Sequence, residues 1–581
     1  MNSLRYGALL TAALIAGAIT ACQRAPEPPT PKAAAAPALA GNGWANFRDD
    51  FLDAYFRAEP ALAVYAGRHE FDGQLPDWSA GGIAHEIARL HAVRERTAEF
   101  RDSTLSAAER FERDSIVVRI DRDLFWTESA EAPFKNPAFY IDSLDPSPYL
   151  TRDYAPLEQR LRVFIGFEHA VVTAVGEIKA NLRLPLARPL LERGLSAAKG
   201  FADFYHKDVA KVFASVKDAR LQAEFKQANA AAEAAMRGLA AWFVANRTSS
   251  TENFALGEEK FAQMLAATER VTTPLAELEA AGRADLERNT VALRAACAAL
   301  LPGKSVAACV AKVAHNKPAG GAVAGARKQL ADLRAFIEAH GIVSIPGTEQ
   351  ALVNEAPPYN RANFAYIDIP GPYEKGIPSV YYIAPPDPSW TAQAQRDYLP
   401  GRADLLFTSV HEVWPGHFLQ FLHSNRQGSI VNRVFVGYAF AEGWAHYGEE
   451  MMWEEGLGNG DAETHVGQLL NALLRDGRFL SSIGMHTHGM KLTQSEQLFR
   501  AAAYADAGTA RQQAARGAYD PAYLNYTMGK LMIRKLRDDW SAARGGRAAW
   551  REFHDQFLSY GGPPIPMVRA AMMGNDKGPL F

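Results

Sequence analysis

The chain has 581 residues, 48% of them apolar and 22% charged, which is enough apolar side chain for a large buried core and far from the composition of a disordered or fibrous protein. A formal net charge of -3 leaves no basic excess to neutralise a phosphate backbone, which argues against nucleic acid as the main partner and favours small molecules or peptides.

From the N-terminus, Arg5 supplies a positive charge ahead of a short apolar run, Tyr6 to Ala21, too short to span a bilayer comfortably. The run ends in Ile19-Thr20-Ala21-Cys22, which resembles a bacterial lipobox, in which Cys22 is acylated and becomes the mature N-terminus. Residues 1–21 are therefore expected to be a lipoprotein signal peptide, and the protein to be lipid-anchored to the outer membrane, facing the periplasm. The alternative is an ordinary secretory signal with an incidental cysteine, and either reading exports the protein. Residues 22–43 carry Pro26, Pro28, Pro29, Pro31 and Pro37 among alanines, a composition that builds no core and reads as a tether.

After Trp44 helical periodicity dominates, most clearly over 157–182, 221–243 and 261–300, so the expected class is mainly α. Cys297 and Cys309 flank a Leu-Leu-Pro-Gly turn, and an oxidising compartment permits a disulfide between them. Residues 354–390 break the helical rhythm with prolines and two β-like runs, 364–369 and 379–383, which predict a small sheet or hairpin. The other reading of this stretch is a proline-rich connection. The expected organisation is an N-terminal helical lobe over 44–345 and a C-terminal lobe over 346–581. No flexible linker parts them, so a single two-lobed body over 44–581 is preferred.

Seven of the fifteen histidines lie between His411 and His488. Among them is His411-Glu412-Val413-Trp414-Pro415-Gly416-His417, which offers two neutral nitrogen ligands and a carboxylate able to take a proton from water. Zinc-binding histidines four apart on a helix lie about 40° apart around its axis. Six apart they are nominally about 240° apart on an unbroken helix. Pro415 removes a helical N–H and Gly416 tolerates unusual dihedrals, so together they can break the helix and return His417 to the face of His411. The rival reading leaves His417 in the core or capping a broken helix. A third ligand is expected from Ala441 to Glu450, where Glu442 and Glu449 share one helical face. One of them can ligate while the other orients a histidine, and His446, four residues after Glu442, can also reach a metal.

The pattern His411-Glu-x-x-Pro-Gly-His417 followed by Glu442-Gly-Trp-Ala-x-Tyr447-x-Glu449 resembles the bacterial proteins grouped as domain of unknown function 885, which look like distant relatives of helical gluzincin metallopeptidases. The resemblance runs over nearly all of the mature chain, from Ala54-Tyr55 and the Gly67 to Asp77 segment through Tyr526-x-x-Gly529-Lys530. It implies a Zn2+ site with His411, His417 and Glu442 as ligands and Glu412 as general base, in a deep cleft between helical lobes. The segments around His486 and Tyr526 also resemble family segments, which implies that these two side chains donate hydrogen bonds to an oxyanion. The chain departs from the family at Ser482, where an acidic residue is common, and at Pro521-Ala522, where a Pro-Gly-Gln run is usual. The expected function is a periplasmic zinc peptidase acting on short peptides. The competing readings are a catalytically inactive peptide-binding lipoprotein and a zinc amidase or esterase with a non-peptide substrate.

Overall fold

Stretches rich in Ala, Leu, Glu, Lys and Arg give up little side-chain freedom on becoming helical, and here they form the longest elements. These are the helices Leu157–Asn181, Arg188–Lys207, Ala219–Asn246, Leu275–Leu300 and Ala462–Thr487. Short polar residues start several helices by satisfying orphan N–H groups. Asp218 accepts from the backbone of Arg220 and Leu221, Asp461 accepts from Thr464, and Ser106 with Glu109 makes a reciprocal capping box. The computed structural model describes residues 43–357, 361, 364–574 and 578–581. The expected signal peptide, Cys22 and nearly all of the tether lie outside the described residues.

The fold is mainly α with one small sheet of order β1-β3-β2. β1 (Leu352–Glu355) runs parallel to β3 (Val380–Ile383), and β2 (Ala365–Asp368) runs antiparallel to it, with Tyr381 opposite both Val353 and Ile367. The two β-like runs of the sequence supply β2 and β3. β1 carries no such signal, because only Val353 of its four residues is buried.

Residues 44–581 form one compact unit with two main apolar cores. One is built almost entirely from residues between Trp44 and Phe243, with Phe56, Phe164, Tyr205 and Phe213 fully buried in it. The other gathers Phe261, Leu333, Phe407, Trp444, Phe479 and Ile533. Most of the first core precedes Phe243 and most of the second follows Phe261, but Phe125 and Ala130 belong to the second and Val431 to the first, so the cores interlock along the chain. The reason is packing: Leu275–Leu300 lies along Ala462–Thr487, and Ala322–His340 lies against Arg402–Glu412, so helices before residue 345 complete the later core. Cys297 and Cys309 are disulfide-bonded with Cα atoms 5.6 Å apart, joining the end of Leu275–Leu300 to Val306–His315. Among the described residues no helix is long and apolar enough to cross a membrane.

A cavity of about 3600 Å³ is bordered by residues of both halves, Glu59, Arg119 and Asp142 from the first and His411, Glu442 and Tyr526 from the second.

Candidate metal centre

The site begins with a helix that ends early. Arg402–Glu412 stops at Glu412, Val413 leaves it with φ -125° and ψ -72°, the Trp414–Pro415 peptide is cis, and a new helix, His417–Ser424, starts at His417. Two contacts hold the loop between them. The Gly416 N–H donates to Val410 O at 2.9 Å, and the Trp444 indole N–H donates to Pro415 O at 2.8 Å. A Cβ on residue 416 would lie 1.8 Å from His411 O, so only glycine lets the chain fold back this closely on the preceding turn.

As a result the His411 and His417 rings lie 4.8 Å apart, nearly perpendicular. Glu442 reaches in from helix Tyr438–Glu454, its Oε2 3.2 Å from His411 Nε2 and 3.4 Å from His417 Nε2. One donor atom from each of the three residues lies within 4.8 Å of the others, and among the described residues no other group of His, Cys, Asp or Glu converges in this way.

Glu449, two helical turns beyond Glu442, sits behind His411 and is fully buried. Its carboxylate accepts from His411 Nδ1 at 2.7 Å and pairs with Arg475 at 3.0 Å and His446 Nδ1 at 3.3 Å. Burial works against its charge, but Arg475 and then His446 outweigh it and hold the carboxyl below the usual carboxylate range. An ionised Glu449 on Nδ1 turns His411 Nε2 toward Glu442 and His417, where it can ligate once its proton is lost. His411 itself is carried up to about 9, because its bonds to Glu442 and Glu449 outweigh burial. Of the two glutamates the sequence left open, Glu442 stands at the point of convergence and Glu449 orients. His446 faces Glu449 rather than the three donors, and burial lowers it to about 4, with Lys530 adding to the effect. Glu449→Gln is expected to weaken metal binding by about 10–100-fold, read by competition against a chromophoric chelator. Unchanged affinity would mean that His411 is oriented by something else.

Glu412 is half-buried and borders the cleft, and burial raises its carboxyl above the ordinary value. Tyr526 stacks on His411, with ring centres 6.1 Å apart and an 18° tilt, and also borders the cleft. It is delivered by a close helix crossing. A Cβ on Gly443 would meet Gly529 Cα at 2.5 Å, so this glycine pair lets Tyr438–Glu454 and Asn525–Ala542 touch backbone to backbone.

His486 is not at the site, which corrects the oxyanion role expected for it. Its Nε2 donates to Gly517 O at 2.7 Å, its Nδ1 accepts from the Leu256 N–H at 3.2 Å, and its ring packs against Phe254 and Phe261. Both nitrogens are spent on backbone groups, and burial lowers the ring to about 4. The helix explains the displacement. Arg475 and Arg478 of Ala462–Thr487 border the cleft, and His486 is about 12 Å farther along the axis than Arg478. Ser482, one of the two departures from the family pattern, donates to the carbonyl of Pro521, which begins the other.

Three residues that sequence reasoning passed over also border the cleft: Arg475, Arg478 and Arg516. Tyr438 joins them by donating to Asp520 at 3.1 Å and accepting from Arg516 at 2.8 Å. Arg475 and Arg478 carry no local signal, since they fall in the polar stretch Arg475-Asp476-Gly477-Arg478 and share a helical face with Asn471 and Ser482.

No curated protein matches the chain in sequence. Two solved structures share its fold with a TM-score of 0.76 each. One is described as a candidate lipoprotein of unknown function from Shewanella oneidensis, 23% identical over 91% of this chain and 99% of that one. The other is described as a candidate lipoprotein from Colwellia psychrerythraea, 16% identical over 91% of this chain and 98% of that one. At such identities the likeness is one of fold. The model of the bacterial protein family of unknown function DUF885 matches residues 60–572, a span that includes the broken helix, Glu442 and Tyr526, and the chain belongs to that family.

Proposed function

We propose that this protein is a zinc-dependent peptidase that hydrolyses short peptides on the periplasmic side of the outer membrane, held there by a lipid on Cys22. The observation that carries the reading is the convergence of His411, His417 and Glu442 at the wall of a large cleft, with Glu412 adjoining in the chain. The donor chemistry fits zinc: two imidazole nitrogens and one carboxylate oxygen, with one imidazole tied through Nδ1 to a buried carboxylate, is the ligand set of catalytic sites that keep a fourth position open. Zinc bound there supplies Lewis acidity toward a water and a substrate carbonyl.

The remaining work falls to the chain itself. Glu412 takes the proton from the attacking water on its carboxylate and passes it to the leaving amine, and burial brings its affinity for that proton closer to neutrality. Burial raises the Tyr526 phenol, so it keeps its proton and can donate a hydrogen bond to the developing oxyanion. Glu449 keeps His411 in register. β2 is an edge strand, and its Ala365 and Ile367 border the cleft, a position from which an extended peptide can be received by strand addition. The lipobox at Cys22 and the lipoprotein descriptions of the two structural neighbours support the exported, anchored location.

The test is metal analysis of the purified protein together with mass-spectrometric screening of a mixed peptide library, with and without chelator. The expected result is about one zinc per chain and cleavage that stops on chelation and returns with added zinc. Turnover that survives complete metal removal would overturn the mechanism. Peptides retained but left intact would favour a binding protein.

A further inference from the structure

We infer that Arg478 anchors the C-terminal carboxylate of the substrate, so that the cleft cuts peptides one or two residues from their C-terminus; this deepens the peptidase reading above and rests on it.

The case starts from charge pairing. A buried guanidinium is costly unless an anion meets it, and the other buried arginines among the described residues obey this. Arg152, Arg160, Arg475, Arg537 and Arg569 each pair with a carboxylate. Arg478, only 9% exposed, pairs with none among the described residues. Among the described residues its hydrogen bond runs from Nε to Gln513 Oε1 at 2.7 Å and its guanidinium lies over the Tyr526 ring, so neither terminal nitrogen is committed to a carboxylate. Arg478 borders the cleft, so an incoming ligand can reach it. Its neighbours cannot serve instead, since Arg475 holds Glu449 and Arg516 holds Asp520. One net positive charge with two parallel N–H donors suits a planar, singly charged acceptor, which is a carboxylate rather than a phosphate dianion.

Its position sets where the chain would be cut. The guanidinium carbon lies 4.6 Å from the centre of the Tyr526 ring, whose further neighbours are Arg516, Tyr438 and, at 6.1 Å, the His411 ring. Arg478 and the His411 ring thus both pack against one tyrosine ring. An extended peptide covers about 3.3–3.6 Å per residue, so a carboxylate held at Arg478 brings a peptide bond one or two residues upstream to the metal. A purely structural role for Arg478, holding Tyr526 through its cationic face, makes a different prediction because it carries no information about the substrate's end.

The test uses tri- to pentapeptides prepared both as free acids and as C-terminal amides, assayed with the metal-loaded protein and with its Arg478→Gln and Arg478→Lys variants. The wild type is expected to release one or two C-terminal residues and to favour acids over amides by about 10- to 100-fold in kcat/KM, the range expected for losing a charge-assisted bond. Arg478→Gln should erase the preference, mainly through KM, and Arg478→Lys should keep part of it. Equal use of acid and amide by the wild type, or an unchanged ratio in Arg478→Gln, overturns the anchor while leaving the peptidase reading intact. If no peptide is cleaved, the peptidase reading fails, and calorimetric binding of the same peptides decides the anchor: acid preference lost in Arg478→Gln supports it, and no preference overturns it.

Discussion

Glu412→Gln is expected to lower peptide turnover by about 10²–10⁴-fold while leaving metal content unchanged. The amide matches the carboxylate in shape and volume, so the end of helix Arg402–Glu412 and the loop that follows it should keep their geometry. The atoms that converge belong to His411, His417 and Glu442, so the metal should stay. What disappears is the carboxylate that the proposed mechanism uses to take a proton from water and return it to an amine. Its carboxyl is raised by burial and lies beside two imidazoles that partly offset the rise, which suits a base working near neutrality. The measurement is kcat/KM with metal content determined on the same sample. Full activity would remove Glu412 from the mechanism, and lost metal would move it among the ligands.

Gly416→Ala is expected to damage the metal centre without touching a ligand. The added methyl meets His411 O at 1.8 Å, His411 C at 2.4 Å and Val410 O at 2.5 Å, all of them backbone atoms of the helix that carries the first ligand. No flexible side chain is there to give way. The loop must open, which breaks the Gly416 to Val410 hydrogen bond and carries the His417 ring away from His411. Overpacking of this kind costs about 1–3 kcal/mol, occasionally more. Metal affinity should fall by at least about 100-fold, since two of three ligands no longer share one ion. Chemical denaturation and chelator competition read the two effects separately. Wild-type affinity in Gly416→Ala would mean that the tight turn does not set the position of His417.

What could be learned from local chain chemistry was considerable. Helical periodicity announced the class, and the prolines and β-branched runs of 354–390 marked β2 and β3. At Pro415-Gly416 the residue types alone forecast a break, because one lacks the N–H that a helix needs and the other admits a turn that a Cβ would block. These are properties of short stretches, so they can be read without knowing what packs against them.

The rest depended on elements far apart in the chain. Glu442 and Glu449 share a face of one helix and look equivalent in one dimension. Only the depth at which Tyr438–Glu454 meets Arg402–Glu412 puts the first beside both imidazoles and the second behind His411. His486 resembled a site residue by its surrounding motif, yet its helix carries it past the cleft to Leu256 and Gly517. Arg478 gave no local signal, since what sets it apart is that no acid among the described residues pairs with it. Dihedral preferences and hydrophobic period act over a few residues, whereas the meeting of ligands and the pairing of buried charges are settled by how whole helices pack.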